Sequence, residues 1–501
     1  MFDRSETNLT KTNLINVAGR KISPDHFIGN ARISSSQSFE VRSAIDESVL
    51  GEVARGTEHE VNLAVQAAKD AFPAWAALGP EGRLHHLEKL AHVIEARVED
   101  LAHVETTNNG SLLEASRLRV MKRGAHNIHF FAEMARDMGQ LWETEAAKNA
   151  VNDVRFDPAG VTALITPWNA PFMLATWKVG PALAAGNTVV LKPAEWTPFT
   201  ASLLADFVLE AGLPAGVFNV VQGLGNEAGA ALVAHPDVRR ISFTGSVPTA
   251  KKIASSAAVN LTPCSFELGG KSPFIIFADC DLELALRNAV DQYDNCGQVC
   301  LSGTRLLVED KIYDEFLERF KAAIAKTKQG DPREPDTVVG PLVTRTHLER
   351  VHGFVERAIR DGATLEFGGR VSPRLGGLYY EPTLFTNVAL RSELWQREVF
   401  GPVLILEKFS SESEVIKLAN NTEFGLAAML FTKDQDKAER ISSQLIAGTV
   451  WINCFYVRDL AAPFGGAKQS GVGREGGHWS FDFYCDVKNV MTRKGTFQTK
   501  S

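Results

Sequence analysis

Between residues 160 and 244 the chain repeats one pattern: a short apolar run, a polar loop, then a stretch fit for a helix. Val161-Thr-Ala-Leu-Ile165 ends in Thr-Pro-Trp-Asn, and Thr188-Val-Val-Leu191 ends in Lys-Pro-Ala-Glu. The run 217–221 ends in Gln-Gly-Leu-Gly, and Arg240-Ile-Ser-Phe243 ends in Thr-Gly-Ser. Helical stretches at 198–211 and 226–234 lie between them. Strands connected through helices pair in parallel, and right-handed crossovers place helices on both faces of the sheet. The pattern therefore predicts a doubly wound α/β unit whose ligand loops lie at the carboxyl ends of the strands. Ahead of it, Val61, Val65, Ala68 and Phe72, then Leu84, Leu87, Leu90, Val93 and Ile94, recur at helical spacing.

A second α/β run begins near Pro263, with strands expected at 273–277 and 305–308 and a charged helix at 312–328. A third group of strands is expected around 403–409 and 449–453. The segments 142–156 and 476–501 fit neither unit and read as strands that pair with another subunit. A chain of 501 residues, 45% of them hydrophobic, can bury such cores without staples. A net charge of −7 gives no support for nucleic-acid binding. No apolar run approaches the roughly 20 residues of a membrane helix, and the polar amino terminus has no secretory core. Six cysteines without a CxxC pair argue against a disulfide framework and for a reduced, cytoplasmic setting.

Gly223-Leu-Gly225-Asn-Glu-Ala-Gly229 follows a strand and opens a helix, as dinucleotide-binding glycines do. Its GxGxxxG spacing is one residue too long, and no acidic residue closes the next strand, so a tight turn is the better reading. Four other segments are more specific. They are Thr166-Pro-Trp-Asn-Ala-Pro-Phe172, Phe266-Glu-Leu-Gly-Gly-Lys271, Asn295-Cys-Gly-Gln-Val-Cys-Leu-Ser-Gly-Thr-Arg305 and Glu398-Val-Phe-Gly-Pro402. Together they offer a thiol (Cys300), a carboxylate (Glu267), an amide donor (Asn169) and a cofactor clamp. Covalent acyl chemistry needs that set of parts.

With Lys192-Pro-Ala-Glu195, Phe243-Thr-Gly-Ser246 and Pro463-Phe-Gly-Gly-Ala-Lys-Gln-Ser-Gly-Val-Gly-Arg474, these segments make the chain resemble the NAD(P)-dependent aldehyde dehydrogenases over nearly its whole length. The resemblance implies an NAD-binding domain at 1–141 and 157–262, a catalytic domain at 263–475, and an oligomerisation extension at 142–156 and 476–501. It implies a homodimer or homotetramer. It implies that Cys300 attacks an aldehyde, that Asn169 and the Cys300 N–H hold the oxyanion, and that Glu267 activates the water that hydrolyses the thioester. Lys178 is implied to lie near the thiol and to lower its pKa. For NAD, the family positions are Thr166, Pro167, Trp168, Lys192, Glu195, Gly225, Phe243, Gly245, Ser246, Leu268, Glu398 and Phe400. A carboxylate at 195 repels a ribose phosphate, which favours NAD over NADP. Ala250 stands where the family often has a second glycine.

Each role has a plainer alternative. Glu267 pairs with Lys271, Asn169 caps a helix, and Cys296 with Cys300 suggests metal ligands, although no histidine cluster accompanies them and no metal is expected. Asn169-Ala-Pro-Phe-Met-Leu-Ala-Thr-Trp-Lys178, Arg123-Gly-Ala-His-Asn-Ile-His-Phe-Phe-Ala-Glu133 and Val457-Arg-Asp-Leu460 resemble the hydroxymuconic semialdehyde dehydrogenases. That subgroup implies that Arg123 and Arg458 grip a substrate carboxylate, for which a planar guanidinium is suited. The alternatives are an Arg458–Asp459 pair and a solvated Arg123. Phe172, Trp177, Val299, Leu301, Phe455 and Phe464 are expected to wall the aldehyde pocket, or else to pack the core. Rival functions are a coenzyme A-acylating dehydrogenase, against which Glu267 speaks, and a non-catalytic NAD-binding protein that keeps the fold.

Overall fold

A computed structural model describes residues 14–143 and 148–495. Positions 144–147 and 496–501 of the expected oligomerisation extension, and 1–13 of the expected NAD-binding domain, lie outside the described residues.

The repeated pattern forms the parallel centre of an eight-stranded sheet. In space the parallel strands run Cys264–Glu267, Val238–Thr244, Val161–Ile165, Thr188–Lys192 and Phe218–Val220. His26–Ile28 and Ala31–Ile33 extend one edge in antiparallel fashion, and Gly471–Val472 extends the other. Chain order reverses at Val161–Ile165, between its neighbours Thr188–Lys192 and Val238–Thr244. The loops that begin at Thr166 and Gly245 leave from this switch point, where a crevice forms in such sheets. Both faces are covered, so the strands need no polar alternation. Val161 and Ala163 pack in one core cluster with Val61, Ala64, Val65 and Ala68, whereas Leu164 packs in the other.

The second sheet has seven strands, ordered Thr364–Phe367, Thr383–Thr386, Val403–Phe409, Arg305–Glu309, Pro273–Ile276, Ala427–Phe431 and Thr449–Ile452. All pairs but the first are parallel. The strands expected as a third group thus join the second run in one sheet. The expected division at 262/263 also shifts in terms of sheets. Cys264–Glu267 pairs with Val238–Thr244 in the first sheet, and Gly471–Val472 returns from the second unit to cover that strand.

Strand Ala150–Pro158 pairs antiparallel with Cys485–Arg493 through nine residue pairs, and with Gln140–Glu143 on its other side. The two segments expected to reach another subunit therefore pair first with each other. Cys485–Arg493 lies at the sheet edge, with Val487 and Met491 exposed. Among the described residues, no helix is long and apolar enough to cross a membrane.

Candidate active site

The Cys300 segment begins in an unusual backbone. Asn295, Cys296 and Gly297 take φ values of 49°, 56° and 67°, three successive left-handed residues. Only glycine adopts this region without strain, so side chains must hold the turn. Gln298, 1% exposed, does so: its Nε2 donates to Asn295 O (2.9 Å) and its Oε1 accepts the Val343 N–H (2.9 Å). Gly297 lies so close to Gly401 that a Cβ would meet its carbonyl oxygen at 2.2 Å.

The Thr166–Phe172 loop is fastened to this turn. Asn169 Nδ2 donates to Gln298 O (2.9 Å), and Asn295 Nδ2 donates to Asn169 O (3.1 Å). Asn169 does not cap the helix that follows. Ala170 occupies the N-cap of Pro171–Ala184 and makes no side-chain bond. From the other side, Gly269 and Gly270 allow close approach. A Cβ on Gly269 would meet Glu398 Oε2 at 2.1 Å, and one on Gly270 would meet Cys300 O at 2.5 Å. Glu398 Oε1 accepts the Gly270 N–H (2.9 Å).

Glu267 ends strand Cys264–Glu267 and is 5% exposed, yet neither of its carboxylate oxygens has a hydrogen-bond partner. Burial, reinforced by the charge of Glu475, raises its pKa well above the usual carboxylate value. The alternative pairing with Lys271 does not form: Lys271 Nζ is also buried and without a partner. Burial, aided by Arg305 and opposed by Glu398, brings Lys271 down to about 7. Half-buried Cys300 is pushed up to about 12 by burial and the charges of Glu398 and Glu267, with Arg458 opposing. Burial likewise pushes Glu398 up to about 7.

Lys178 Nζ donates to Glu475 Oε1 (2.6 Å) and Ser242 Oγ (2.8 Å), and its charge acts on Glu267, while the charge of Arg458 acts on Cys300. Trp177 Nε1 also donates to Glu475.

Arg123 and Arg458 meet over one ring. Each guanidinium carbon lies 5.6 Å from the Trp177 ring centre, and that of Arg458 lies 3.7 Å from Phe464. Burial and the charge of Arg458 bring Arg123 down to about 10. Arg123 Nε donates to Asn127 Oδ1 (3.0 Å), while Asp459 Oδ1 accepts the Ala461 N–H (2.9 Å). Val299 and Phe455 are half-buried, and Phe455 stands edge-on to Trp451 and Tyr456. Phe172 and Leu301, expected as pocket wall, lie in the core at 0% and 2% exposure; Phe172 packs where Gly124 lacks a Cβ.

The residues present fit a dinucleotide. Lys192, 1% exposed, ends its strand with Nζ 3.2 Å from Glu195 Oε2, whose side chain is partly open to solvent. Helix Val247–Ala257 starts at Ser246 without a side-chain cap, because Ser246 Oγ bonds Thr249 Oγ1 (2.9 Å). Its first N–H groups are thereby free for an anion such as a pyrophosphate. A Cβ on Gly225 would meet nothing, and Ala250 is accommodated in the helix at 3% exposure. Phe243 fills the space over Gly245, and Gly245 N donates to Glu267 O (3.0 Å). Leu268 is buried, its N–H donating to Ser470 O (2.9 Å).

Several contributors escape the sequence reading. His347 Nε2 contacts Phe400 O (2.7 Å), and Arg350 donates to the carbonyls of Val399 and Glu398, so helix Arg345–Arg360 fixes the 398–400 backbone. Phe400 itself has φ 58°, and the Trp168 ring stands edge-on to both Phe400 and His347 at 5.2 Å. Glu475 follows directly on the segment that ends at Arg474, which was its available signal. Among the described residues, the group of side chains spaced for a metal ion is Glu88, His129 and Glu133, which includes none of these residues.

Residues 32–490 match the sequence profile of the aldehyde dehydrogenase family. The chain is 40% identical to 2-hydroxymuconic semialdehyde dehydrogenase of Pseudomonas sp. (strain CF600), covering 93% of this chain and 99% of the relative. It is 41% identical to 5-carboxymethyl-2-hydroxymuconate semialdehyde dehydrogenase of Escherichia coli, covering 91% and 98%. A solved P. syringae indole-3-acetaldehyde dehydrogenase in complex with NAD+ and IAA superposes with a TM-score of 0.92 at 37% identity, covering 95% of this chain and 97% of that one.

Proposed function

Since this chain belongs to the aldehyde dehydrogenase family and is an NAD-dependent enzyme of it, we propose that it oxidises a carboxylated semialdehyde by hydrolytic thioester chemistry. The observation that carries this reading is the buried, unpartnered carboxylate of Glu267 acting on Cys300.

Cys300 gives up its proton to water, and the thiolate Sγ adds to the aldehyde carbon, forming a C–S bond as the carbonyl π electrons move to oxygen as negative charge. The Cys300 N–H and Asn169 Nδ2 stabilise that oxygen. Bound NAD would supply the acceptor for the hydride that this adduct gives up. The thioester that remains is attacked by a water whose proton goes to Glu267, and the C–S bond breaks to release the acid. The high pKa of Glu267 suits a group that must take up that proton. Lys192, Glu195, the Ser246 helix end, Glu398 and Phe400 would hold the dinucleotide.

Arg123 and Arg458, juxtaposed on Trp177, suit a substrate carboxylate, because two neighbouring cations gain from a shared anion. Assembly as a homodimer or homotetramer runs through the edge strand Cys485–Arg493, and the reduced thiols suit the cytoplasm.

The test is a panel of aldehydes with and without a second carboxylate, run with NAD and NADP, with and without coenzyme A. Preference for the carboxylated members with NAD alone is expected, and Arg458→Ala reduces that preference by about 10- to 100-fold. Turnover that requires coenzyme A, or unchanged preference in Arg458→Ala, contradicts the reading.

A further inference from the structure

Helix Val98–Asn109 sends polar side chains into the wall of the site that the reaction scheme leaves unused. Glu105 is 1% exposed and Asn109 is 3% exposed. Four residues apart, they share one helix face. Glu105 Oε2 accepts the N–H of Phe172 at 3.0 Å, and Asn109 Nδ2 donates to the carbonyl of Trp168 at 3.2 Å. The two bonds grip the Thr166–Phe172 loop on either side of Asn169.

Local sequence does not supply these anchors. Helix Pro171–Ala184 has an N-cap alanine without a side-chain acceptor and opens with a proline, which has no N–H to offer. Glu105 comes from 67 positions away to do what a serine or aspartate cap does from within a chain. Burial pushes its carboxyl up to about 8, the Phe172 N–H opposing. A buried acid is a costly cap where a local serine would serve. What the remote anchor adds is a fixed distance between helix Val98–Asn109 and the loop, which a local cap does not provide.

We propose that Glu105 and Asn109 are positioning residues, holding the Thr166–Phe172 loop so that the Asn169 amide meets the aldehyde oxygen as charge develops on it. The proposal rests on the oxyanion assignment of Asn169. Asn169 is then held from two sides, by helix Val98–Asn109 and by the Asn295–Gln298 turn.

A double-mutant cycle in the full-length protein separates the two ideas. The readouts are the rate of the first-turnover NADH burst at saturating aldehyde and the rate of Cys300 alkylation by iodoacetamide. Glu105→Ala is expected to slow the burst about tenfold while alkylation stays within about twofold, since the thiol is held by other contacts. Glu105→Gln keeps an oxygen acceptor for Phe172 N–H and is expected to restore the burst. The pair Glu105→Ala with Asn169→Ala is expected to be no slower than Asn169→Ala alone. A normal burst in Glu105→Ala, or multiplying effects in the pair, overturns the positioning role. A normal burst in Asn169→Ala overturns the oxyanion assignment itself and this proposal with it. Should Glu105→Ala fail to fold, Asn109→Ala carries the test, and a normal burst there is equally fatal.

Discussion

Glu475 and Glu267 are equally buried, at 5% exposure each, and the charge of Glu475 is felt at Glu267. Their surroundings are opposite. Glu475 accepts hydrogen bonds from Lys178, Ser242 and Trp177, which tie helix Pro171–Ala184 and strand Val238–Thr244 to the carboxyl-terminal segment. Glu267, at the end of the neighbouring strand, accepts none. A fully bonded buried ion pair holds a geometry. A buried carboxylate without donors gains little from its charge and takes up a proton readily. Identical chemistry and burial thus give a brace in one region and a candidate base in the other.

The largest expected effect comes from breaking the brace. Glu475→Gln leaves Lys178 as an uncompensated buried cation and is expected to cost about 3–5 kcal/mol in urea unfolding. Lys178→Met combined with Glu475→Leu recovers most of that loss, because no buried charge remains. Equal stability of Glu475→Gln and the parent protein breaks the comparison.

A smaller effect distinguishes Glu267 through pH. Its folded-state pKa lies above the unfolded value, so the folded protein binds the extra proton, and stability falls as pH rises from about 4.5 through the folded pKa. Glu267→Gln removes that loss. Its stability relative to the parent is therefore expected to grow between pH 5 and pH 8, read as urea midpoints; a constant difference contradicts the raised pKa.

The smallest effect concerns the thiol. With Cys300 held at about 12, iodoacetamide alkylation is expected to climb about tenfold per pH unit from 7 to 10 without a plateau. Arg458→Ala removes the opposing cation and slows alkylation a few-fold at each pH. A plateau below pH 9, or faster alkylation in Arg458→Ala, places the cation elsewhere.

Much of this was legible in the chain itself, for a physical reason. Strand Val161–Ile165 has the limits its apolar run suggests, because a strand buried on both faces carries no alternation to blur it. The loops at its switch point followed from the same pattern. The sheet to which Cys264–Glu267 belongs was not legible, since strand pairing is set by partners far away in sequence. Lys178 illustrates the same limit within the site. Its neighbours in sequence match a lysine near the thiol, but its partner Glu475 lies 297 positions on. Glu105 left a fainter trace: an acid on the apolar face formed by Leu101, Ala102 and Val104. His347 and Arg350 left none, because polar residues are ordinary on an amphipathic helix.

The contrast between brace and base is tested most directly by stopped-flow NADH formation in Glu267→Gln. A burst of about one NADH per active site, followed by steady turnover reduced about 10²- to 10³-fold, is the expected result, since acylation survives and the water loses its base. A burst lost in step with turnover, or turnover left unchanged, contradicts the assignment of Glu267.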